Sequence, residues 1–225
     1  MGLLSSQPVS GGRSSQHSGR RRPDGLSKAV VVAAALRLAR RLGVKGFSMR
    51  DLAAELGTTQ MAAYHYVKGR AELETLLLDE ILSEIKAPPA EAGSWHERLR
   101  VLVQDSVSVL RSWTGSSALL LRQRPQRRSD QVVSLIGILH DAGFTYRDSV
   151  LAARLLQVWC WGELEVREYL DENPVPAHLL DAPAESLAGL KAISEDDVTA
   201  FALDVMLEGL RARLARTESA EVQKA

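Results

Sequence analysis

Apolar residues recur at three- and four-residue steps from Val31 to Leu214, and nowhere alternate at the two-residue step of a half-buried strand. That periodicity confines the chain to helices, and glycine and proline cut it into segments that each need a neighbour to cover their apolar face. Val31, Ala34, Ala35 and Leu38 share one face of a helix over 26–42, which Gly43 stops. Ser48 is placed to cap a short helix over 49–56, in which Met49, Leu52, Ala53 and Leu56 keep helical spacing until Gly57. Thr59 is placed to cap a third over 59–67, where Ala62 and Ala63 allow close approach. Leu73, Leu76, Leu77, Ile81 and Ile85 define an amphipathic helix over 71–85, ended by Pro88 and Pro89. Further helices are predicted over 95–113, 117–123, 130–142 and 146–169. A last one runs from Ser194, with Asp197 in capping-box position, to about 216. A loop holding Pro174, Pro176 and Pro183 separates the final two.

The expected fold class is all-α, with an N-terminal three-helix domain and a C-terminal helical bundle that forms a dimer. Two short helices meeting at Gly57 and Thr58 are the signature of a helix-turn-helix. Four stretches follow: a disordered basic arm over 1–25, the helix-turn-helix domain over 26–86, a ligand-binding and dimerisation domain over 87–217, and a flexible tail over 218–225. Residues 1–75 hold 12 Lys and Arg against 5 Asp and Glu, and residues 76–225 hold 16 against 23, so halves of +7 and −7 cancel. Such asymmetry suits a front half that meets a polyanion. Arg20, Arg21 and Arg22 stand where a flexible arm reaches a minor groove, or where a tail is merely solvated.

Chemistry of other kinds finds no footing. Cys160 is the only cysteine, so no intrachain disulfide forms, and no histidine stands at zinc-site spacing from it. Nucleotide loops, metal-ligand spacings and nucleophile constellations are missing, which argues against an enzyme and against any cofactor or metal. No apolar run is long enough to span a bilayer and no secretion signal opens the chain, so a cytoplasmic protein without a membrane partner is expected.

From Gly43 to Leu73 the run GVKGFSMRDLAAELGTTQMAAYHYVKGRAEL resembles the DNA-binding segment of TetR-family regulators. Gly43, Ser48, Arg50, Leu52, Ala53, Gly57, Tyr64, Tyr66 and Leu73 carry the likeness in register. ILHDAGFT, from Ile138 to Thr145, is similar to a helix end in the family's regulatory domains, and the YHYV context leans toward the tetracycline-repressor branch. The resemblance implies a homodimeric repressor on a palindromic double-stranded DNA operator, acting at the bacterial nucleoid. It places Thr59, Gln60, Met61 and Tyr64 on the exposed face of a recognition helix, where glutamine pairs with adenine and methionine meets a thymine methyl. Arg50 falls where the family often touches a base or phosphate, the alternative being a surface salt bridge. Ser48, Tyr66, Lys68 and Arg70 are implied phosphate contacts. Arg70 and Val67 depart from the lysine and phenylalanine usual at those positions. One of the two tyrosines has a competing role in packing against Val67 and the first helix.

In the rear half the helix from Tyr146 is apolar almost all round between Val150 and Trp161, so it needs cover on more than one side. Leu151, Leu155, Val158 and Gly162 form one stripe, which with Phe201, Val205 and Leu210 is expected to make a two-fold four-helix interface. Trp159 and Glu163, four residues apart, are joined with Trp113 and His140 as candidate walls of an effector cavity. Such walls suit a small hydrophobic effector, cationic if Glu163 faces it; the competing roles are core packing for the tryptophans and solvent exposure for the acid. His140 and Cys160 read equally well as structural. The leading function is operator release by such an effector. A DNA-bound regulator without an effector is the alternative, and a collapsed bundle interior favours it.

Overall fold

The computed structural model describes residues 25–123, 126–173 and 193–222. Among them are nine α-helices: α1 (Lys28–Leu42), α2 (Met49–Glu55), α3 (Gln60–Tyr64), α4 (Arg70–Ser83), α5 (Trp95–Arg111), α6 (Ser116–Arg122), α7 (Gln126–Asp141), α8 (Tyr146–Glu172) and α9 (Glu195–Val222). No strand occurs among the described residues, in line with the all-α expectation. The arm over 1–24 with Arg20 to Arg22, and the loop with Pro174, Pro176 and Pro183, lie outside the described residues.

Local chemistry sets the helix starts. Ser27 Oγ accepts from Val30 N at 3.3 Å, Thr59 Oγ1 from Ala62 N at 3.2 Å, and Thr145 Oγ1 from Asp148 N at 3.1 Å. Each cap meets an N–H that the helix itself leaves without a partner. α2, α5 and α9 begin with reciprocal boxes, in which Ser48, Ser94 and Ser194 pair with Asp51, Glu97 and Asp197. The ends differ from expectation by three residues or more in four places. α3 stops at Tyr64 rather than Val67, because His65 N and Tyr66 N turn to the carbonyls of Ala62 and Ala63, three residues back. α7 starts before Asp130, α8 continues past Tyr169 to Glu172, and α9 runs through the predicted tail to Val222.

One contiguous core runs from Val31 to Leu210. α4 carries it between the two halves, packing against α1 on one side and α5, α6 and α7 on the other. Its Leu73, Leu77, Leu78 and Ile81 are fully buried, each contributing roughly 1.5–3 kcal/mol by removal from water. α8 lies against α5, α6, α7 and α9.

A second connection joins the halves at the loop between α5 and α6. Val44 N donates to Thr114 O at 2.9 Å, and the Arg40 guanidinium lies over the Trp113 ring, 3.5 Å from its centre. Gly115 has φ +82°, and a Cβ there would stand 3.1 Å from Val44 Cγ2, so this close approach needs glycine. Gly46 is as tightly required, since a Cβ would fall 1.7 Å from Leu42 O.

Candidate nucleic-acid interface

α2 and α3 pack on each other across the turn at Gly57. Ala63, fully buried, seats α3 on the core and turns the opposite residues outward. Gln60 is exposed, Met61 is 75% exposed and Tyr64 44%. Met61 and Tyr64 therefore leave apolar surface open on a helix of five residues. Arg50 is exposed at the start of α2, with no ion pair among the described residues. Thr59 uses its oxygen as the α3 cap, and its own hydrogen stays free to donate.

The four residues expected at phosphates are placed differently from one another. Lys68 is exposed, and its backbone N–H donates to Glu72 Oε2 at 2.6 Å. Tyr66 is half-buried against the core. Ser48 spends its hydrogen on Asp51 Oδ2 at 2.7 Å and its oxygen on Asp51 N at 3.2 Å, so its hydroxyl serves the α2 cap. Arg70 turns inward: Nη1 donates to Phe47 O at 2.6 Å, Nη2 donates to Val44 O, and Nε donates to Glu74 Oε1 at 2.7 Å. With the guanidinium also 4.5 Å from the centre of the Phe47 ring, three of its five N–H donors are committed within the protein and the group is turned inward.

Around this face the carboxylates are held ionised. Asp51 lies below the usual carboxylate range because it accepts the Ser48 backbone N–H and hydroxyl. Glu55 is lowered by Arg41 and then Arg37, and Glu72 by Lys28 and then the Lys68 N–H. Five of the basic side chains in the front half, Lys28, Arg37, Arg40, Arg41 and Arg70, are ion-paired within the protein. Lys45, which the sequence did not single out, stands exposed beside Gly46.

In the rear half the stripes separate. Leu151, Leu155, Val158, Phe201 and Val205 are each 48–71% exposed, and Gly162 is open. Leu210 is 7% exposed and belongs to the core of its own chain, since α9 turns it toward Leu203 and Leu207 instead of Phe201 and Val205. The four expected cavity residues do not converge. Trp113 is buried beneath Arg40 at the α5–α6 loop, and His140 is exposed, with Nδ1 3.2 Å from Phe144 O. Trp159 and Glu163 are half-buried on α8. None of the four lines the small cavity that α5, α6, α7 and α8 enclose. That cavity, about 40 Å³, is bounded by apolar side chains with Ser106, Gln131, Gln157 and Trp161. Gln157, Cys160 and Trp161 share a helix face by their spacing, the one signal of it in the sequence. Burial, and secondarily the charge of Glu163, push the Cys160 thiol up to about 12, so it stays protonated and inert.

No protein-family model matches the chain. It is 30% identical over 158 residues to the HTH-type transcriptional repressor DrrR1 of Streptomyces coeruleorubidus, a match covering 68% of this chain and 57% of that protein. An HTH-type transcriptional regulator of Saccharopolyspora erythraea is 29% identical over 94 residues, 42% of this chain and 40% of that one. The chain thus spans little more than half the length of the first of these relatives. Among solved structures, apo ActR from Streptomyces coelicolor superposes with a TM-score of 0.72 at 20% identity, over 85% of this chain and 98% of that one. TetR from Acinetobacter baumannii gives 0.70 at 23%, over 84% and 98%. BioQ with its double-stranded DNA operator gives 0.64 at 22%, over 83% and 99%. ActR is a TetR family protein, and at these identities the likeness is one of fold.

Proposed function

We infer that this chain, which has the fold of the TetR-family regulators and HTH-type transcriptional regulators as its curated relatives, is a sequence-specific DNA-binding repressor. It works as a homodimer on a palindromic operator, in the bacterial cytoplasm at the nucleoid. The observation that carries the reading is the outward face of α3, where Gln60, Met61 and Tyr64 stand exposed on a helix braced by Ala63 and capped by Thr59. A short helix enters a major groove when a second helix crosses the backbone to hold it, which is the part α2 plays. Gln60 supplies a bidentate partner for adenine and Met61 an apolar contact for a thymine methyl. Arg50, Thr59, Tyr66 and Lys68 position the duplex.

Release follows from the bundle. Leu110 of α5 and Leu120 of α6 bound the small cavity, and the loop between those helices holds Val44 of the reading head through Thr114. A hydrophobic effector that widens the cavity displaces both ends of that loop and alters the distance between the two reading heads. Solved relatives in fold include ActR with actinorhodin and a TetR variant with minocycline. The cationic effector loses its basis, because Trp113, His140, Trp159 and Glu163 do not share a wall with the cavity. One observation favours the alternative of a regulator without an effector: a cavity of about 40 Å³ holds only a few waters.

Selection of random duplex DNA by the purified protein tests the first part, with an inverted repeat expected. A compound screen against the selected complex then separates the two readings, release by an apolar compound supporting the effector. A protein that enriches no sequence at low salt is not this repressor.

A further inference from the structure

Between α5 and α9 lies a second pocket, of about 350 Å³, lined by Gln104, Val107, Ser108 and Arg111 of α5 and by Asp196 and Thr199 of α9. Two of these side chains carry buried polar atoms that find no partner among the described residues. Arg111 donates from Nη1 to Asp196 Oδ1 at 2.6 Å, while its Nε and Nη2 have no acceptor. Thr199, 6% exposed, has its Oγ1 buried and unpartnered. Buried donors left open in this way are rare in native proteins, because each gives up its hydration for nothing.

The open donors have a shape. Nε–H and one N–H of Nη2 form the side edge of the guanidinium, whose parallel bonds match the two oxygens of a carboxylate. Charge narrows the choice further. Asp196 already faces Arg111 from the rim, where its side chain is 83% exposed. Arg111 is the one cation and Asp196 the one carboxylate among the residues that line the pocket. A monoanion balances the single charge of Arg111 once Asp196 swings into solvent, whereas a dianion leaves one negative charge in excess. The volume leaves room for an organic body against Val107.

We propose that this pocket binds a small organic monocarboxylate, its two oxygens on the Nε–Nη2 edge of Arg111 and the Thr199 hydroxyl donating to one of them. The site is separate from the bundle cavity and is read on the protein alone, so it stands or falls independently of the repressor reading. Calorimetric titration of the full chain with benzoate and hexanoate tests it, against benzamide as the neutral isostere and inorganic phosphate as the multivalent anion. Both carboxylates are expected to bind saturably, and the amide and phosphate not. Arg111→Lys keeps the charge but lacks the edge, and weakens binding at least about tenfold; Thr199→Val weakens it about threefold or more. Asp196→Asn frees Arg111 and tightens binding; with its exposed side chain it does not threaten folding, so it carries the test if Arg111→Lys is unstable. The proposal is overturned by absence of carboxylate binding at concentrations on the order of 10 mM. Equal binding of phosphate overturns it too, as does affinity that neither Arg111→Lys nor Asp196→Asn changes.

Discussion

Single side chains on and beside α3 divide into those that face outward and those that hold the fold, and substitution separates the two. Gln60 and Tyr64 are exposed, so Gln60→Ala and Tyr64→Ala are each expected to cost about 1–3 kcal/mol of operator affinity with an unchanged melting temperature. Binding isotherms beside thermal melts check this, and a matching loss of stability would assign those residues to packing. Lys68 and Arg70, two cations two residues apart, are expected to behave oppositely. Lys68→Ala lowers the slope of log affinity against log salt by about 1 and leaves stability alone. Arg70→Ala leaves the slope unchanged and destabilises the protein by about 2–3 kcal/mol, because the carbonyls of Val44 and Phe47 lose a charged donor. A reduced salt slope for Arg70→Ala would return it to the phosphates. The inward turn of Arg70 was not legible in the sequence, because its partners come from the α1–α2 loop, 23 and 26 residues away. Residue type shows a charge, while the fold decides which oxygen it meets. Ser48 was half legible: its capping role follows from the spacing to Asp51, and that role consumes the hydroxyl a phosphate would need.

Helices show the same division between local and distant causes. The starts capped by Ser48 and Thr59 are where the spacing puts them, whereas the caps Ser27 and Thr145 were not singled out, and α1 begins at Lys28 rather than at residue 26. The identity of buried faces is less local. α8 is apolar all round, and only the packing of α5, α6 and α7 tells that Ala152, Leu156 and Cys160 face inward while Leu151, Leu155 and Val158 do not. Leu210 shows the same limit, its side settled by the three-residue and seven-residue steps to Leu207 and Leu203. The effector walls were least legible, because a tryptophan pattern fits a core as well as a cavity. The three reciprocal caps make a prediction about acid. Asp51, Glu97 and Asp197 are each lowered chiefly by hydrogen bonds from the capping serine. A depressed folded value means the stabilisation is complete above the unfolded value of about 4 and is lost as pH falls through the folded one. Chemical denaturation across pH is therefore expected to show no pH dependence from these groups between about pH 5 and 8, where their contribution is complete, and a progressive loss of stability below about 4. Asp51→Asn should shrink that acid-side loss. A variant that keeps the full acid dependence would show that the α2 cap is not its source.

For the molecule as a whole, the exposed stripes of α8 and α9 matter more than any one contact. The two helices are tied by Arg213 Nη2 donating to Asp148 Oδ1 at 2.7 Å, which sets the C-terminal part of α9 beside the start of α8. Leu151, Leu155 and Val158 then run along one helix and Phe201 and Val205 along its neighbour, all about half exposed or more. A solitary chain gains nothing from so much open apolar surface, and the proposed second copy, related by a two-fold axis, would cover both stripes at once. Dimerisation also bears on the reading heads. Glu168 of α8 accepts from Gly115 N at 3.0 Å and from Ser117 Oγ at 2.5 Å, and Thr114, next to Gly115, accepts from Val44 N at 2.9 Å. The helix that would meet its partner thus holds the loop that holds the helix-turn-helix, so the spacing of two heads is fixed from the interface outward. Leu155→Glu places a charge in the middle of the α8 stripe without touching the core. It is expected to give a folded monomer by sedimentation, to remove the rise of melting temperature with protein concentration, and to reduce operator affinity about a thousandfold toward the non-specific level. The parent chain sedimenting as a monomer at micromolar concentration would leave the stripes to some other partner. A Leu155→Glu monomer with undiminished affinity would show that one head reads the site alone.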